Sequence, residues 1–268
     1  MALPPSPVLT IAGSDCSAGA GIQADMKAIT ANGGYALTAL TSVVSETPGL
    51  VSQIRFLDAD FIADQIRVLF GAFPIRAAKT GMLGGSEQVL AVVRAWRAHA
   101  GGIPLVVDPV MVATSGGRLL KDDAVAALCE ELLPLATLIT PNMDEAEVLW
   151  GRAVTTRDEM AECATELAAR FQTHVLVKGG HLAGDAAADV LAGREGLSWH
   201  ETVRTPGVHT HGTGCTCSSA IAACLAGGMD LRAAVTAAKK YVSSAIIQHF
   251  AWPDARVGVL HALNHFPK

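Results

Sequence analysis

The segment Thr210 to Thr216 reads THGTGCT and sets a cysteine at the junction between a Gly-rich turn and an Ala-rich helical run. Gly212 and Gly214 let the backbone aim its N–H groups at one point, and the following helix adds the positive end of its dipole there. Such a loop can cradle an anion. Thr213 lies between the glycines, and Cys215 falls in the first helical turn, where partial positive charge favours thiolate over thiol. Cys215 is therefore a candidate base or nucleophile. The plainer alternative is a Gly-rich loop with a buried cysteine serving as a small apolar residue.

Further polar residues recur where strands should end. Asp108 follows the run LVV and precedes Pro109, so its carboxylate emerges at a strand end. Asn142 and Glu145, in NMDE, have the spacing of a helix N-cap and its reciprocal glutamate. The same pair, with Asp108, could offer hard oxygens to Mg²⁺, which is usually held through waters and substrate phosphates. Lys178, in VLVKGGH, places a cation beside two glycines, where it could touch a phosphate tail. Asp25 sits on a helix whose other face is apolar and reads locally as a solvated helix acid or as a functional one. Asp, Asn, Glu, Lys and an anion cradle are the parts of phosphoryl transfer. No G-x-x-x-x-G-K-[ST] occurs, which excludes a P-loop enzyme.

One motif points elsewhere. Gly19, Gly21 and Ala24 form G-x-G-x-x-A, and Glu46 follows near the distance of a ribose-binding acid, so a nicotinamide-dependent oxidoreductase is the rival reading. Against it, the stretch from Ala12 to Gly19 is longer than the tight turn the fingerprint requires. Glu46 also stands just before Pro48 and Gly49, in a turn-like setting.

The elements that would carry these residues alternate. Strands are expected at Val8–Ala12, Leu37–Val44, Ala77–Lys79, Leu105–Val107, Leu138–Thr140 and Val175–Lys178. Helices are expected at Ile22–Ala31, Ala59–Phe70, Glu87–His99, Asp122–Leu132, Thr156–Phe171, Thr216–Ala226 and Leu231–His249. Ala188–Leu191 and Leu197–Val203 read as a hairpin at an antiparallel edge. The order predicts an α/β fold, a mostly parallel, doubly wound sheet with helices on both faces. Ligands then belong at the carboxyl ends of the strands, where the loops Gly13–Asp15, Thr80–Met82, Asp108–Val110, Asn142–Glu145 and Lys178–His181 converge.

Composition agrees. The chain of 268 residues is 50% hydrophobic and only 5% aromatic, which suits helices packed closely on a parallel sheet. No linker or repeat divides it, so residues 1–268 are read as a single domain. A net charge of −5 gives no general attraction to nucleic acid or an anionic membrane. The six cysteines are read as reduced thiols, and no apolar run approaches the ~18 residues of a membrane span. The expectation is a cytoplasmic protein whose partners are small molecules.

The motifs LTIAGSD, GAGIQAD, AAKTGML, VVDPVM, LITPNMDEAE, VLVKGGH and THGTGCT, in this order, resemble the ribokinase-like superfamily. More narrowly they resemble the hydroxymethylpyrimidine and phosphomethylpyrimidine kinases of thiamin biosynthesis, and pyridoxal kinases share several of them. The resemblance implies ATP- and Mg²⁺-dependent phosphorylation of 4-amino-5-hydroxymethyl-2-methylpyrimidine, then of its monophosphate, by a ribokinase-like homodimer. It implies that Gly13, Asp25, Met82 and Val110 line the pyrimidine pocket and that Asn142 and Glu145 organise Mg²⁺ and phosphate. It implies further that Gly212, Thr213 and Gly214 form the anion hole, that Cys215 takes the hydroxyl proton, and that Lys239 lies near the nucleotide. Two positions depart from the pattern. Ser17, Ala18 and Gly19 replace the usual SGG, and Glu46 stands where a glutamine is usual. A glutamine amide can donate and accept at once, whereas an ionised glutamate only accepts. Glu46 then requires a protonated ring, a protonated carboxyl or a different substrate, such as a pyridoxine-type alcohol.

Overall fold

The computed structural model describes residues 3–111, 122–180, 182, 184–208 and 211–268. Thr210 of the Gly-rich loop and His181 after the lysine strand lie outside them. In chain order the elements are β1 Ser6–Asp15, α1 Gly21–Ala31, β2 Gly34–Thr47, β3 Leu50–Phe56, α2 Ala59–Ala72, β4 Ala77–Thr80, α3 Ser86–His99 and β5 Leu105–Val107. There follow α4 Asp122–Ala127, continued by a π turn over Leu128–Leu132, then β6 Leu138–Ile139, α5 Met143–Trp150, α6 Arg157–Phe171 and β7 His174–Gly179. The chain ends with β8 Ala186–Gly193, β9 Gly196–Val203, α7 Thr213–Ala226, α8 Leu231–Ile247, β10 Phe250–Asp254 and β11 Gly258–Ala262.

One nine-stranded sheet runs in the order β3-β2-β1-β4-β5-β6-β7-β8-β9. The pairs from β2 through β1 and β4 to β7 are parallel, and β3, β8 and β9 add antiparallel edges. The central strands are apolar runs because both faces are covered, and side chains alternate between the faces. Val8, Ala77, Val106, Leu138 and Leu176 pack toward α7 and α8. Leu9, Ala78, Leu105, Ile139 and Val175 pack toward the opposite layer of α2, α3, α5 and α6.

β2 lies on one side of β1 and β4 on the other, so the winding reverses there. A crevice opens at the carboxyl ends of such neighbouring strands. Toward those ends the face under α7 turns from apolar to polar. Thr10, Lys79, Asp108 and Thr140 are all buried there, beneath the first turns of α7. The expected elements are present with boundaries shifted by a few residues, while β3 and the β10–β11 hairpin were not foreseen. No helix among the described residues is long and apolar enough to cross a membrane.

Candidate active site

A cavity of about 1300 Å³ opens over the strand ends. This exceeds the ~300–1,000 Å³ usual for one small ligand, so a nucleotide and a second small molecule can share it. The wall brings together Gly13, Glu46, Met82, Val110, Asp108, Asn142, Glu145, Lys178, Lys239 and the loop Gly212–Cys215.

The loop is held by backbone geometry. Gly212 caps α7 at φ +85°, and a Cβ there would overlap the Gly19 carbonyl oxygen, so only glycine lets the two loops meet. A Cβ on Gly214 would come within 3.0 Å of Lys178 Nζ, which places that ammonium directly against the loop. Thr216 Oγ1 donates to the Gly212 carbonyl at 2.8 Å, and the first amides of α7, which have no intrahelical partner, belong to residues that line the cavity.

Lys178 is not a bare cation. Its Nζ donates to Asp108 Oδ1 at 2.9 Å, and Thr140 donates to the same oxygen at 3.1 Å. Burial alone would depress the Lys178 ammonium, but the Asp108 and Glu145 carboxylates hold it above its ordinary value. Asp108 is shifted the other way: burial would raise it, and Lys178 and Lys79 keep it low. Lys239 of α8 pairs with Asp189 of the neighbouring strand β8 at 2.7 Å, and Asp189 also accepts the Gly179 N–H at 3.0 Å.

Asn142 and Glu145 form the capping box their spacing predicts. Asn142 Oδ1 accepts the Glu145 N–H at 2.8 Å, and the Glu145 carboxylate accepts the Asn142 N–H at 2.9 Å. The box starts α5 and at the same time sets both side chains on the cavity wall. Burial, with the charge of Asp108, pushes the Glu145 carboxyl up to about 7 against the pull of Lys178. Asp108, Glu145 and the Asn142 amide supply the hard oxygens that suit Mg²⁺ held largely through water and phosphate.

At the other end of the cavity, the Gly13 N–H donates to the Met82 carbonyl at 3.1 Å, joining the loops after β1 and β4. Glu46 lies beside His211, whose Nε2 is 4.0 Å from Glu46 Oε2 and 3.2 Å from Asp15 Oδ2. Asp15 organises the loop into α1 by accepting the Ser17, Gly19 and Ala20 N–H groups. Burial would raise the Asp15 carboxyl, but His211 and these donors drive it well below the usual range. Burial and the Asp15 charge raise Glu46, with His211 opposing. Neither Asp15 nor His211 was singled out from the sequence, although both stand inside quoted motifs.

Two expectations fail. Asp25 was placed on the pocket wall, or alternatively in solvent, yet it is fully buried. Its carboxylate is spent on Lys79 at 2.9 and 3.0 Å, Thr10 at 2.5 Å and Ser219 at 2.7 Å. Cys215 was expected to favour the thiolate. Loss of water outweighs the helix terminus, and burial pushes the thiol up to about 11, against the nearby Lys79 charge.

Comparison with known proteins fits this geometry. The family described as phosphomethylpyrimidine kinase matches residues 15–259. A hydroxymethylpyrimidine/phosphomethylpyrimidine kinase of Rhizobium meliloti is 44% identical over 239 residues, 89% of each chain. A bifunctional thiamine biosynthesis protein of Geobacter sulfurreducens is 42% identical over 91% of this chain, which spans only 49% of that longer protein. Among solved structures, the ADP complex of Bacillus subtilis pyridoxal kinase superposes with a TM-score of 0.87 at 34% identity, covering 97% of this chain and 98% of that one. A phosphomethylpyrimidine kinase from Clostridium difficile gives 0.79 at 38% identity over 90% and 99%. A cavity with room for two ligands, an anion loop and a basic floor is what a small-molecule kinase needs, and the chain belongs to the phosphomethylpyrimidine kinase family.

Proposed function

We propose that this chain transfers the γ-phosphoryl group of ATP to the 5-hydroxymethyl group of 4-amino-5-hydroxymethyl-2-methylpyrimidine, and then phosphorylates the monophosphate to the diphosphate. The observation that carries the reading is the position of Cys215. It lines, at the head of α7, a cavity whose wall runs from the Glu46, Gly13 and Met82 end, over β2, β1 and β4, to the Asn142 and Lys178 end, over β6 and β7, with Lys239 of α8 beside the latter. The alcohol lies at the first end and the nucleotide phosphates at the second. Cys215 accepts the hydroxyl proton as the oxygen attacks in line, and the Gly212–Cys215 amides stabilise charge on the phosphoryl group in transit.

Mg²⁺ would be held at Asp108, Glu145 and Asn142 and would neutralise phosphate charge. Lys178 orients the phosphates, and its pairing with Asp108 keeps it extended along the cavity floor. Val110 and Met82 give the ring an apolar seat. The reading includes a cytoplasmic homodimer. Exposed Leu50 and Phe56 on the edge strand β3 offer apolar surface for a partner copy, and the mass in solution from analytical ultracentrifugation checks it.

A second reading, a pyridoxal-type kinase, is favoured by Glu46 in place of glutamine and by the likeness to pyridoxal kinase structures. Alcohol-dependent ATP consumption, measured with both kinds of alcohol, decides between them.

A further inference from the structure

His265 is buried, and the reaction outlined above gives it no part. It lies in the segment that follows β11, outside the cavity wall, and that segment is stitched to α8. The Asn264 N–H donates to the Ala245 carbonyl at 3.2 Å, and Tyr241 donates its hydroxyl to the His265 carbonyl at 2.8 Å. With the backbone held at both residues, the ring reaches α7, where its Nε2 lies 3.1 Å from Thr216 Oγ1.

Thr216 is the residue through which α7 grips the Gly-rich loop. Its N–H and its hydroxyl both donate to the Gly212 carbonyl, at 2.9 and 2.8 Å. A trans peptide unit is planar, so fixing the Gly212 carbonyl also fixes the direction of the Thr213 N–H, the amide of a cavity-lining residue. Gly212 stands at φ +85° with no side chain of its own to restrain it, so the loop depends on a lock from outside. A helical threonine ordinarily divides between two χ1 rotamers, because its hydroxyl can bond either of two carbonyls in the preceding turn. The His265 imidazole meets the hydroxyl in the rotamer that bonds Gly212 and selects it.

We propose that His265 is a positioning residue for phosphoryl transfer: from outside the cavity it locks the Thr216 hydroxyl onto the Gly212 carbonyl and so holds the aim of the loop amides. It touches no reactant and neither gives nor takes a proton. In the step it serves, the alcohol oxygen bonds to the γ-phosphorus as the bond to the departing ADP oxygen breaks, and the amides meet the charge on the phosphoryl oxygens in transit. The proposal rests on the reading of Gly212–Cys215 as the anion hole.

The test combines steady-state kinetics of the full chain, with ATP and the pyrimidine alcohol, and hydrogen–deuterium exchange of the loop amides. His265→Leu should lower kcat by about tenfold or more with both KM values within about twofold of wild type, because the loop is misaimed while the binding walls are intact. His265→Gln, whose amide reaches as far as Nε2, should keep kcat near wild type. His265→Asn carries the same amide one methylene short and should behave like His265→Leu. Thr216→Val keeps the shape and loses the hydroxyl, so it should lower kcat as far, and adding His265→Leu to it should cost little more, since both remove one lock. Exchange at Thr213 to Cys215 should quicken in His265→Leu and His265→Asn but not in His265→Gln. A merely structural role would lower the melting temperature and leave kcat of the folded enzyme unmoved. Should His265→Leu fail to fold, the Gln and Asn variants decide. Equal kcat in those two, or losses that multiply in the double variant, would overturn the proposal. A wild type that turns over no alcohol, yet shows the expected exchange pattern, would overturn the reading of the loop and keep the lock. Turnover with loop exchange indifferent to His265 would overturn the lock alone.

Discussion

Ser218 and Ser219, adjacent on α7, reach two different buried carboxylates: Ser218 Oγ lies 3.4 Å from Asp108 Oδ2, and Ser219 Oγ donates to Asp25 Oδ1 at 2.7 Å. Each carboxylate is already paired with a lysine, Asp108 with Lys178 and Asp25 with Lys79. The first turns of α7 therefore rest on two ion pairs side by side. One pair faces the cavity and the other is sealed beneath it, so they should answer differently to mutation.

Replacing Lys178 by Met leaves Asp108 buried without its cation and should cost roughly 3–5 kcal/mol of stability, read by urea denaturation. Removing both charges, as Lys178→Met/Asp108→Leu, should restore much of that stability. It should not restore turnover, because the proposed phosphate contact of Lys178 and the proposed Mg²⁺ oxygen of Asp108 are both gone. Recovered activity in the double variant would mean that Lys178 and Asp108 serve the fold alone.

Cys215→Ala should lower kcat by about 10² to 10⁴, the usual worth of a positioned base, with nucleotide binding by calorimetry largely retained. Near-normal turnover would take the thiol out of the reaction.

Gly212 joins the anion loop to the loop before α1 at a positive φ, so Gly212→Ala introduces both backbone strain and a clash with the Gly19 carbonyl. Strain of this kind costs of order 1–3 kcal/mol. The expected outcome is a lower melting temperature together with a loss of kcat larger than any change in KM, since the role proposed for the loop is to act on the phosphoryl group in transit. An unchanged kcat would contradict that role.

These sites differ in how far the sequence alone discloses them. Asn142 and Glu145 announce their capping box by spacing, and Gly212 and Gly214 announce a turn, because both signals depend on neighbours along the chain. The central strands are equally plain, since burial on two faces leaves uninterrupted apolar runs. β3, LVSQIRF, is largely exposed at a sheet edge and carries no such run, which is why no strand was expected there. Asp25 was misplaced because its partners come from β1, β4 and α7, and nothing in its own helix reports them. The thiol of Cys215 was misjudged for a related reason: the helix terminus is local, whereas the loss of water is imposed by the whole fold. One signal was available and unused. A lysine in the apolar strand AAKT requires a buried anion, and Lys79 could have been sought on that ground.

Glu46 gives a pH prediction with a definite sign. Burial and the neighbouring Asp15 raise its carboxyl above the ordinary value, so the neutral acid persists to higher pH than usual. Only that form can donate to a ring nitrogen while accepting from an amino group. The specificity constant for the pyrimidine alcohol should therefore fall as pH rises through the Glu46 titration. Glu46→Gln should abolish that fall and raise the constant by roughly tenfold where the wild-type carboxyl is ionised, about the worth of one good hydrogen bond. Identical profiles in the two proteins would show that Glu46 does not read the ring.

The most direct measurement is ATP consumption by the purified chain with 4-amino-5-hydroxymethyl-2-methylpyrimidine, with its monophosphate, and with pyridoxal, in parallel and with Mg²⁺ present. The account predicts turnover with the pyrimidine alcohol and with its monophosphate, each at a higher kcat/KM than with pyridoxal. Turnover with pyridoxal alone, or ATP consumption that ignores every added alcohol, would contradict it.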